Sequence, residues 1–146
     1  MARTQARGGF GLQLWRGDGA TPTEVFTKVE EVTDISPVGA KSLDTVEVTH
    51  MESDDGYKEY IPTLKDSAEM TVDTNWLVGN ASQAGVVTDF ENRTLRNFRI
   101  VLPGTGKRLE GAGFVTNLSP TAARDGAMKR TFTIKATGKW NEVAHA

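Results

Sequence analysis

The chain has 146 residues, a formal net charge of -2 and 38% hydrophobic content, with a mass of 15.9 kDa and a pI near 5.7. That size suits one domain, 1–146, with a core of its own, while the charge argues against tight nucleic-acid binding, which requires a cluster of Lys and Arg. No apolar run reaches membrane-spanning length, zero cysteines exclude disulfides and thiolate metal sites, and the N-terminus lacks the apolar stretch of a secretory signal.

Residues 1–9 carry Arg3 and Arg7 among small and polar residues and read as a flexible arm. The following residues favour strands, because eighteen threonines and thirteen valines supply β-branched side chains that pack well on a pleated surface. Phe10–Trp15 alternates Leu12 and Leu14 against Gln13 and Trp15, a first strand closed by Gly17-Asp18-Gly19. Glu24–Ile35 is the next, its broken phase reconciled by a bulge near Val29–Glu31. Leu43–Met51 is a third, with Val46 and Val48 on one face and Thr45, Glu47 and Thr49 on the other.

That strand leads into a long loop, residues 51–64, where the Asp54-Asp55-Gly56 turn precedes Tyr57, Tyr60 and Pro62. Between Asp44 and Glu59 six acidic residues accompany one lysine, Lys58, the pattern of a solvated segment. Lys65–Val78 follows as the strongest strand, with Ala68, Met70, Val72, Thr74 and Trp76 on a dry face and Ser67, Glu69, Thr71, Asp73 and Asn75 on a wet one. Asn80–Leu95 is the one helix: Ala84, Val87, Phe90 and Leu95 recur at helical steps, and Asn80 with Gln83 resembles a capping box. Three further strands are expected: Phe98–Leu102; Leu109–Leu118; and Met128–Gly138, with Trp140 continuing its apolar parity. Asp125-Gly126 makes a hairpin of the last two. Seven strands and one flanking α-helix describe a mainly β fold, an antiparallel β-sandwich or open barrel.

The sequence offers little for catalysis. The two histidines, His50 and His145, have no nucleophile placed beside them by any motif. Gly104-Thr-Gly-Lys107 lacks the remaining positions of a phosphate loop, and Asp54-Asp55 lacks the alternating ligands of a calcium loop. No enzyme activity, cofactor or metal is therefore expected. Two binding readings remain. Tyr57 and Tyr60 sit on a loop and suit a protein contact; with Trp15, Trp76 and Trp140 they could instead line a sugar-binding face, although Trp76 shares the parity of Met70 and Val72 and fits a core better.

Four segments together resemble the tail tube proteins of long, flexible-tailed bacteriophages, specifically the N-terminal domain of the lambda-type tail tube protein: Leu43–Thr49, Ser53–Asp66, Glu91–Pro103 and Phe132–Gly138. The resemblance implies a tail-tube fold that assembles with itself into hexameric rings, stacked around a tape measure protein and joined to tail-end proteins, with DNA passing through the lumen without specific binding. It implies a virion component assembled in the host cytoplasm. It also implies that the long loop, with Met51, Glu52, Asp54, Asp55, Tyr57 and Tyr60, makes inter-subunit contacts. The lambda protein carries a C-terminal immunoglobulin-like domain; this sequence stops soon after Trp140, so none is expected. A tube subunit of a contractile injection apparatus is the alternative. Two expectations add to these: Glu47, Glu69 and Asp73 face the lumen, where cationic clusters would retain phosphate, and Arg3 and Arg7 pair with Glu52, Asp54 or Asp55 of a neighbour.

Overall fold

The structure, a computed structural model, describes residue 8 and residues 11–20, 22–104, 106–122 and 124–145. Arg3 and Arg7 lie outside the described residues. In chain order the elements are β1 (Gln13–Gly17), β2 (Phe26–Lys28), β3 (Val32–Ser36), β4 (Lys41–Glu47), a 3-10 turn at Asp54–Gly56, β5 (Tyr60–Ser67), β6 (Glu69–Asn75), α1 (Ala81–Asn92), β7 (Arg96–Leu102), β8 (Lys107–Ala122) and β9 (Met128–Ala144). Seven strands form one sheet in the order β2-β1-β7-β8-β9-β6-β3, and β4 and β5 form a separate two-stranded ribbon. Every pairing is antiparallel.

The link between β2 and β3 shows that this sheet curls. The two strands occupy opposite edges, which in a flat sheet would lie about 29 Å apart at about 4.8 Å per strand. Only Val29, Glu30 and Glu31 separate them, and four Cα steps reach about 15 Å at most. The edges must therefore approach each other. Backbone bonds mark the seam: Val29 N–H donates to Leu14 O on β1 at 2.9 Å, and Asn75 N–H on β6 donates to Glu31 O at 3.0 Å. Because β2 and β3 do not pair with each other, the result is an open barrel.

α1 lies across that opening. Asn80 caps it, its side chain accepting from Ser82 N–H and Gln83 N–H. Gln83 does not complete a capping box. It is buried, donates from Nε2 to Glu30 O at 3.0 Å and to Asn75 O at 2.8 Å, and accepts from Leu77 N–H at 2.9 Å. The amide thus sews the helix to the seam. Further along, Asp89 binds Arg16 of β1 and Arg96 of β7. The buried face is Gln83, Val86 and Asp89; Ala84 and Leu95, expected inside from periodicity, are exposed. Two polar side chains occupy the dry face because each has hydrogen-bond partners there.

The core follows the expected parities. Leu14, Met70, Val72, Phe98, Ile100, Phe132, Ile134 and Trp140 are all buried, each large side chain contributing about 1.5–3 kcal/mol of transfer free energy. Thr74 joins them because its hydroxyl donates to Arg130 O at 3.0 Å. Trp140 lies against Gly111, where an added Cβ would fall inside the indole, and its Nε1–H donates to Ala112 O at 3.0 Å.

Two expected strands divide. Glu24–Ile35 becomes β2 and β3, because Glu31 adopts a left-handed φ of 52° that turns the chain instead of bulging it. Lys65–Val78 breaks at Ala68, whose N–H turns back to Ala40 O at 2.8 Å; residues before it belong to the ribbon and those after it to the main sheet. Among the described residues nine strands result in place of seven. β8 and β9 also outrun their expected ends, pairing from Lys107↔Ala144 to Ala122↔Met128.

Candidate functional site

The β4–β5 ribbon is the segment without a core. All of β4 is exposed, and so is β5 up to Ser67, so Val46 and Val48 have no dry face within the subunit. Among the described residues thirteen large apolar side chains are exposed, and eight of them lie between Leu43 and Leu64: Leu43, Val46, Val48, Met51, Tyr57, Tyr60, Ile61 and Leu64. Met51 reaches 101% exposure and Leu64 76%. At its base the ribbon is fixed to the barrel, Lys41 Nζ donating to Trp140 O at 2.9 Å and Ser67 Oγ to Gly138 O at 2.8 Å.

The loop joining the two strands runs from Val48 to Glu59, since Tyr60–Leu64 already belong to β5. Val48 N–H donates to Glu59 O at 2.8 Å, closing the neck. Asp55 and Gly56 take left-handed φ values of 52° and 74°, and Tyr57 N–H returns to Asp54 O at 2.9 Å. Met51, Glu52, Asp54, Asp55 and Tyr57 therefore share one exposed loop, with Tyr60 beside it, paired across the ribbon with Glu47.

His50 sits within this loop, and its surroundings resemble a catalytic set without being one. Its Nε2 lies 3.3 Å from Glu59, and its Nδ1 accepts Glu52 N–H at 3.1 Å. The Ser53 hydroxyl donates to the same Glu59 carboxylate. A triad needs the imidazole between hydroxyl and carboxylate, ready to take the hydroxyl proton; here the carboxylate is in the middle and both imidazole nitrogens are engaged elsewhere. The group ties the loop together. Sequence alone does not mark Ser53 and Glu59 as its partners.

The three carboxylates expected to share a face are divided between two sheets. Glu47 lies on β4, while Glu69 and Asp73 lie on β6, which does not flank the loop. Glu69 faces Lys135 across the ladder with a 4.0 Å ion pair, and Asp73 accepts from Thr131 Oγ1 at 2.7 Å. The outward side of β6 and β9 is thus rich in threonine and balanced in charge. Trp76 is stacked by Arg130 at 4.7 Å, and Trp140 is core, so the three tryptophans do not form a common face with the tyrosines. No cluster of His, Asp or Glu able to hold a metal occurs among the described residues.

This combination, an open barrel crossed by one helix with a projecting ribbon, coincides with a family-level match: the model described as lambda phage tail tube protein, TTP, covers residues 13–143. The chain belongs to the lambda phage tail tube protein family. That family is structural, not enzymatic, and its place is the phage tail. The tail of an empty gene transfer agent particle, refined with C6 symmetry, has the same fold as this tail tube protein: TM-score 0.76 and 15% identity over 95% of this chain and 100% of that one. The SPP1 tail tube gives 0.65 and 13% over 92% and 77%. The sheath/tube terminator of an extracellular contractile injection system gives 0.71 and 16% over 98% and 100%. No curated protein sequence matches the chain.

Proposed function

We propose that this tail tube protein assembles with itself into stacked hexameric rings, a hollow conduit through which DNA passes during delivery. The observation that carries this reading is the ribbon. Two strands alone are marginally stable in water, and exposed apolar side chains concentrated on one segment mark a contact site; a neighbouring subunit supplies the missing cover. Solved relatives in tails and tubes support the same reading.

The free edge of β4 offers a route for pairing. Val48 N–H points to Glu59 O and Ala40 O receives Ala68 N–H, so by alternation Lys41, Leu43, Thr45 and Glu47 turn their backbone groups outward. On β5 the outward position opposite Thr45 is Pro62, which removes a donor and blunts that edge. β4 carries no such block, and a ring closes an edge of this kind between subunits. Within the tube, the threonine-rich outer side of β6 and β9, including Glu69 and Asp73, forms the lumen wall. Its balanced charge limits phosphate contacts. An assembled structure with these two carboxylates on the outer surface would contradict that placement.

Fold similarity to the contractile-system terminator supports a second reading, a tube enclosed by a sheath. Negative-stain microscopy of the purified protein at high concentration tests the first: rings or hollow tubes of the protein alone are expected, and persistent monomers at every concentration would contradict self-assembly.

A further inference from the structure

A second exposed apolar feature lies outside the ribbon. Between the C-terminal end of α1 and β8 a cleft of about 430 Å3 is lined by Phe90, Glu91, Arg93, Phe114, Val115 and Thr116. Phe114 is 37% exposed at its mouth, while Val115 forms its core-side wall at 6%. The cleft is thus an apolar slot with one cation and one anion on its rim.

Arg93 itself is unusual. It ends the helix with φ 54° and ψ 40°, the left-handed conformation that glycine adopts most easily. A side chain retained at a position where glycine costs less points to a use for that side chain. Arg93 and Glu91 are both exposed, and neither forms an ion pair within the chain among the described residues.

The ribbon loop is complementary to this slot. Met51 is fully exposed and flanked by Glu52, Asp54 and Asp55, with Lys58 on the same loop. A thioether packs favourably against aromatic rings, and the charges match in kind. We propose that the cleft receives the β4–β5 loop of a second copy of the chain, Met51 entering between Phe90 and Phe114, Arg93 meeting the acidic residues and Glu91 meeting Lys58. The proposal rests on self-assembly and names its receptor. Loop and slot are different patches on one chain, so the contact is heterologous and propagates from copy to copy, as a ring or filament requires.

The absence of cysteine permits a direct test. Chains carrying Met51→Cys and mass-tagged chains carrying Phe114→Cys are mixed under assembly conditions and oxidised. A disulfide-linked heterodimer is expected, since a side chain seated in the cleft brings the two Cβ atoms within bonding range. Visible tubes without that heterodimer would overturn the cleft while leaving self-assembly intact. Should either cysteine chain fail to assemble, charge reversal decides: Arg93→Glu is expected to raise the concentration needed for assembly about fivefold, the scale of one exposed ion pair, and the double change Asp54→Lys with Asp55→Lys in the same chain is expected to restore it. Assembly of Arg93→Glu at the wild-type concentration overturns the proposal. Wild-type protein that never assembles overturns the self-assembly reading itself.

Discussion

Asp89 is the residue on which the helix position depends. Its side chain is fully buried and lies between two guanidiniums, Arg16 Nη2 donating at 2.8 Å and Arg96 Nε at 2.9 Å. Its hydrogen bond holds the Arg16 guanidinium above its ordinary range against the opposing effect of burial. Removing one partner of a buried ion pair leaves the other uncompensated. Asp89→Asn is therefore expected to cost about 3–5 kcal/mol, read as a lower urea midpoint; an unchanged midpoint would refute the role. Gly85 belongs to the same arrangement. Glycine to alanine inside a helix ordinarily gains about 1 kcal/mol, but here an added Cβ would lie 2.8 Å from Arg16 Nη1, a group that Asp89 prevents from moving. Gly85→Ala is expected to lower the melting temperature, and a rise would show that Arg16 yields.

Asp18 sets an acid dependence at the same scale. Its carboxylate accepts from Ala20 N–H at 2.9 Å and Val25 N–H at 3.1 Å, and these bonds, Ala20 first, hold it below the ordinary aspartate value. A depressed folded value contributes stability above the unfolded value and loses it as pH falls through the folded one. Stability should thus decline below about pH 4, and Asp18→Asn should flatten that part of the profile in denaturation series; a slope identical to wild type would remove Asp18 as the cause.

At the scale of elements, strand alternation and the Asn80 cap were legible because they depend on local spacing. Met70, Val72 and Thr74, and later Phe132 and Ile134, lie inside as their parity required. The helix face was not legible. Periodicity selects apolar residues, whereas Gln83 and Asp89 are buried through partners at Glu30, Asn75, Arg16 and Arg96 that only the tertiary fold brings near. The division at Ala68 was hidden for a related reason: alternation continues through Lys65–Asn75, yet β5 pairs with β4 and β6 with β9. The acidic loop and its tyrosines were visible in the sequence, but the bare surface of the ribbon above them was not. Val46 and Val48 look the same in a sequence whether a core or a neighbour covers them.

For the whole molecule, the open barrel is complete within one chain and the ribbon is not. The three-residue β2–β3 link brings the sheet edges together, α1 spans the gap, and the main core needs no second copy. The ribbon adds exposed apolar surface that a stable monomer has no reason to carry. The central claim is that assembly depends on this ribbon loop. Replacing Thr49–Lys58 by Asn-Gly keeps the hydrogen-bonded Val48–Glu59 pair and supplies a two-residue hairpin turn. Sedimentation of this variant beside wild type, with circular dichroism on both, measures the claim most directly. A folded monomer with wild-type β signal at concentrations where the parent forms rings or tubes is the expected result, and tubes formed by the shortened chain would contradict it.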